Sequence, residues 1–96
     1  MTRIERDCLR VLRTSASNCS TPLSATLIDT RRWASVLFAG YRFKVAIDSG
    51  DDARLDDWLA ALPEADLAWS SHFVASAEVI ERGTNTAVIE LLAVEA

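Results

Sequence analysis

Glycine is scarce and scattered in this chain: Gly40, Gly50 and Gly83 stand alone, each in a setting that reads as a turn. Without clustered glycines there is no backbone cradle for phosphates, so a Rossmann or P-loop nucleotide site is excluded. Cysteine is equally sparse. Cys8 and Cys19 are too few for a disulfide framework and fit no zinc spacing, which wants four ligands in close pairs, so both read as free, inert thiols. The Asn18-Cys19-Ser20 triplet would accept a glycan only in a secreted protein. Apolar runs last a handful of residues, well short of the roughly 20 that a membrane-spanning helix needs. Charges at Arg3, Glu5, Arg6 and Asp7 occupy the place of a secretory signal's apolar core, so a cytoplasmic location is expected. No residue group implies a metal or a cofactor.

What remains has an ordinary globular balance, with 50% hydrophobic and 25% charged residues and a net charge of −4. Its 96 residues read as a single domain, 1–96, with no repeat and no linker. A chain of this size hides only about two-thirds of its unfolded surface on folding, so a partner that covered more would stabilise it.

Thr2 and Glu5 have the spacing of a capping box, and Ile4, Cys8, Leu9, Val11 and Leu12 share one helical arc, which predicts a helix over residues 3–15. Strands are expected over 23–29, 33–38 and 41–48, with a turn around Thr30-Arg31-Arg32. A second helix over 51–62, capped by Ser49 or Asp51, buries Leu55, Trp58, Leu59 and Leu62 and stops at Pro63. Residues 72–81 and 86–94 form a hairpin about Arg82-Gly83-Thr84-Asn85. The fold class is therefore α+β: an antiparallel sheet of about five strands with two helices on one face, in the order α-β-β-β-α-β-β. That order resembles the small acidic bacterial secretion chaperones, dimers that hold an unfolded effector segment. The resemblance implies a binding module, and the final helix of that group has no counterpart among these residues.

The last strand is apolar on both sides, with Val88, Leu92 and Val94 opposed to Ala87, Ile89, Leu91 and Ala93. Two short helices cover one face of a sheet, so Val88, Leu92 and Val94 are expected at an interface, in a homodimer or with a protein partner. Charge divides along the chain: residues 1–47 carry eight basic and three acidic side chains, residues 48–96 two and eleven. Either a dipolar surface or simple interdigitation follows from that split.

Nine of the ten basic residues are arginine, and Arg3, Arg6, Arg10 and Arg13 form a ridge on the first helix. The ridge is a candidate anion-binding or nucleic-acid-binding site. Glu5 and Asp7 are interleaved with it and the whole chain is acidic, so a solvated face is the plainer reading and nucleic acid is not the expected partner. Asp48, Asp51, Asp52, Asp56 and Asp57 gather at the second helix start, where capping explains them better than a cation does. His72 is the single histidine and follows Ser70 and Ser71. Neighbours on a strand point to opposite faces, so Ser71 should not present its hydroxyl to His72, and a hydrolase is not expected. No catalytic residue is assigned. Trp33, Trp58 and Trp69 are expected as core anchors.

Overall fold

A computed structural model describes all 96 residues. The order is α1 (Arg3–Asn18), β1 (Ser24–Ala34), β2 (Ala39–Asp48), α2 (Asp52–Ala61), a short 3-10 turn (Leu62–Glu64), β3 (His72–Gly83) and β4 (Thr86–Glu95). The class is α+β with a fully antiparallel sheet, but the sheet has four strands, not about five, in the spatial order β1-β2-β4-β3.

The extra strand disappears because residues 30–32 are not a turn. Thr30, Arg31 and Arg32 pair with Phe43, Arg42 and Tyr41 inside one long β1. None of the three is a turn former, and the one irregularity in the β1–β2 register is a bulge at Ile28. The reversal comes at Ser35, whose N–H donates to the Phe38 carbonyl at 2.7 Å while its Oγ accepts from the Phe38 N–H at 3.2 Å. With one strand fewer, α-β-β-α-β-β no longer matches the order of the secretion chaperones.

Helix α1 starts with the anticipated capping box. The Glu5 carboxylate accepts from the Thr2 N–H at 2.8 Å, and Thr2 Oγ1 accepts from the Glu5 N–H at 3.3 Å. The helix ends three residues later than expected, since Ala16 is buried in the core and Ser15 Oγ accepts from Trp58 Nε1 at 3.1 Å. Thr21 N–H then donates to the Ala16 carbonyl and Ser20 N–H to that of Ser17, with Ser20 in the left-handed region at φ 54°. That is a Schellman end with serine in the slot that glycine usually fills. Asp51 caps α2 by accepting from the Arg54 N–H at 3.1 Å.

Cys8, Leu9, Val11, Leu12 and Ala16 of α1 and Leu55, Trp58 and Leu59 of α2 join Phe43, Val45 and Ile47 of β2 and Ile89 and Leu91 of β4 in one buried cluster. Both helices therefore lie on one face of the sheet. Long polar contacts tie the layers. Thr30 Oγ1 donates to Glu5 at 2.7 Å, Asp52 accepts from the Asn85 N–H at 2.7 Å, and Ser49 Oγ donates to the Pro22 carbonyl at 2.6 Å. At 10–12 residues each the strands run about 33–40 Å, against about 24 Å for α1, and the molecule is accordingly 41 Å long.

Candidate interaction surface

Opposite the helices, one whole face of the sheet is uncovered. Because pleating alternates side chains, the register sets this face in rows that cross β1, β2, β4 and β3 in turn. Trp33, Gly40, Val94 and Phe73 form the row at one end. Next come Arg31, Arg42, Leu92 and Ser76, then Asp29, Lys44, Glu90 and Glu78. Thr26, Ala46, Val88 and Glu81 form the fourth row.

Val88, Leu92 and Val94 share the uncovered face, but only Val88 and Leu92 are partly accessible there; Val94, expected at the interface, is 4% exposed in the row between Gly40 and Phe73, and Ala87, Ile89, Leu91 and Ala93 are buried beneath the helices. Trp58 and Trp69 are core anchors. Trp33 is not: it is half-buried on the uncovered face, and its Nε1 finds no acceptor within the chain. It sits beside Gly40, where a Cβ would collide with the Ala93 carbonyl. The β1–β2 turn at the same end exposes Val36 fully and Leu37 at 81%, with Phe38 and Phe73 about half exposed. Reading residues 33–38 as a strand hid this apolar tip, although three successive large apolar residues just before Gly40 were the available signal.

The middle of the face is charged. Arg42 pairs with Glu90 at 3.5 Å and Arg31 with Asp29 at 3.0 Å. Asp29, Arg31, Arg32, Trp33, Arg42, Lys44 and Glu90 line a shallow concavity of about 420 Å³. Arg32 pairs with Glu95 at 3.2 Å and lies 5.2 Å from the Tyr41 ring centre. Hydrogen bonding and charge, from Tyr41 first and then Glu95, hold its guanidinium above its ordinary pKa.

The α1 ridge is displayed on the outside of the helix, where Arg3, Arg6, Arg10 and Arg13 are all exposed. Arg10 lies 3.9 Å from Asp7, and Arg13 donates to the Ala25 carbonyl at 3.3 Å. Of the aspartates at α2, Asp51, Asp52 and Asp56 are engaged by cations or amides. Asp52 and Asp56 face Arg82 at 3.0 and 3.8 Å, Asp51 faces Arg54 at 3.4 Å, and no group of three or more His, Cys, Asp or Glu side chains is placed to hold a metal ion. The Asn85 amide, then Arg82, hold the Asp52 carboxyl below its ordinary value.

One geometric expectation fails. Ser71 precedes β3, so strand alternation does not govern it, and its Oγ lies 2.8 Å from His72 Nδ1. The remaining ring nitrogen, Nε2, is buried without a partner, so no third group orients the imidazole as a catalytic base would require. The ring packs instead at 5.2 Å from Trp69 and 6.0 Å from Tyr41. Cys8 is buried, and that burial pushes its thiol up to about 12, whereas Cys19 is exposed. No helix is long and apolar enough to cross a membrane. Comparison with protein-family models and with curated proteins gives no match.

Proposed function

We propose that this protein works by association, as a small non-catalytic cytoplasmic binding module, and that the uncovered sheet face is its contact surface. The observation that carries this reading is the apolar end of that face. Trp33, Phe73 and Leu92 adjoin an exposed Val36-Leu37-Phe38 tip, and apolar area of this kind gains free energy when a partner removes it from water. The arginine ridge of α1 has less support as an anion site, because Arg10 and Arg13 already have partners within the chain. Light scattering on a sizing column tests the proposal with the native chain and Leu92→Glu. Leu92 is half-buried beside Arg42, so a glutamate there is tolerated by the fold. The native protein is expected above 10.5 kDa and the variant at 10.5 kDa; a native mass that Leu92→Glu leaves unchanged contradicts the reading.

A further inference from the structure

Resting on that reading, we infer that the occupant of the uncovered face is a second copy of this chain, packed face to face about a two-fold axis parallel to the strands. The charge division of the sequence reappears in the fold. In the spatial order β1-β2-β4-β3, the two halves of the chain become the two lateral halves of the sheet. On the uncovered face β1 and β2 present Arg31, Arg42 and Lys44, with Asp29 and, at the strand end, Asp48. Strands β4 and β3 present Glu90, Glu78 and Glu81 and no basic side chain. Lys44, Glu78 and Glu81 form no ion pair within the chain.

A two-fold interface sets one patch against itself, so only a self-complementary patch suffices. An axis along the strands exchanges left and right and leaves position along the strand unchanged. The basic half of one copy then faces the acidic half of the other, with Lys44 opposite Glu90 and in reach of Glu78. The same operation sets the Trp33 and Phe73 row on its own counterpart, and the Val36-Leu37-Phe38 tip of one copy lies toward Phe73 of the other. An axis across the strands would instead set β1 on β1 and β3 on β3, like charge on like. Four strands at 4.8 Å and ten residues at 3.3 Å give a face on the order of 600 Å² per copy. About 1,200 Å² in total is the lower limit of stable interfaces, so the dimer is concentration-dependent.

Two variants test this: Arg42→Glu with Lys44→Glu, which makes both halves of the face net acidic, and Glu78→Lys with Glu90→Lys, which makes both halves net basic. Circular dichroism first establishes that each retains its fold. Each alone is expected at 10.5 kDa under conditions where the native chain dimerises, and the equimolar mixture at twice that mass. Cross-linking fixes the axis in a Cys19→Ser background. Ser76→Cys mixed with Arg31→Cys links through a short bismaleimide, because β3 of one copy faces β1 of the other. A Ser76→Cys chain that links to itself overturns the axis. Charge variants that stay dimeric, in a protein that Leu92→Glu does dissociate, overturn the two-fold arrangement and leave the contact face standing. A native chain that is monomeric throughout overturns both.

Discussion

Gly40 illustrates how a single residue joins fold to surface. It lies in β2, between β1 and β4, at a point where the Ala93 carbonyl occupies the space of a side chain. That obstacle is backbone and belongs to a paired strand, so it cannot swing away. Gly40→Ala is expected to cost about 2–3 kcal/mol, as overpacking of a close-packed interior does, measured as a lower urea midpoint. Glu5 is the second such residue. The amide and hydroxyl of Thr2, together with Thr30, hold its carboxyl below the ordinary 4.5, so the folded state keeps the charge to lower pH than the unfolded chain does. The stabilisation is present above 4.5 and is lost as pH falls through the depressed folded value. Glu5→Gln should therefore flatten the acid side of the stability profile while changing little of its slope at neutral pH, which denaturant titrations between about pH 5 and pH 2 would read.

Among the elements, the end of α1 carries a correctable cost. Ser20 holds the left-handed position of a Schellman motif, a conformation that costs an L-residue about 1–2 kcal/mol. Ser20→Gly removes that strain, offset partly by the larger backbone entropy of glycine, and should raise stability by roughly 0.5–1 kcal/mol in a thermal or urea transition. At the other end, Thr2→Ala removes the cap and should lower stability by about 1 kcal/mol. The two ends also show what was legible in the sequence. The capping box and the Leu55, Trp58, Leu59, Leu62 stripe are local patterns, and both formed as read. The α1 terminus and the Ser35 turn depend on distant partners: Trp58 reaches Ser15, and β2 pairs with residues 30–32. No nearby residue signals where α1 ends, and the one local sign of the turn is the Val36-Leu37-Phe38 run that follows Ser35. The same limit applies to the surface. The double-sided apolar pattern of β4 put Val88, Leu92 and Val94 on one face, where Val94 is in fact buried, whereas Trp33 and Phe73 join that face only through the register of β1 and β3.

At the scale of the whole molecule, the layout is a sheet longer than its helices, covered on one side and bare on the other. The bare side is apolar at one end and divided by charge across its width, so its association should weaken as salt screens the charged band over a Debye length near 8 Å at 0.15 M. The apolar end supplies a component that salt does not remove. Trp33 reports on this face directly, because Trp58 and Trp69 are buried on the other side of the sheet. The decisive measurement is acrylamide quenching of tryptophan emission across a wide range of protein concentration, in the native chain and in Trp33→Phe. The quenchable fraction of the native chain is expected to fall as concentration rises, and Trp33→Phe to show no such change. Quenching of Trp33 that is the same at every concentration, in a protein whose mass has doubled, would place the contact on another surface and contradict this expectation.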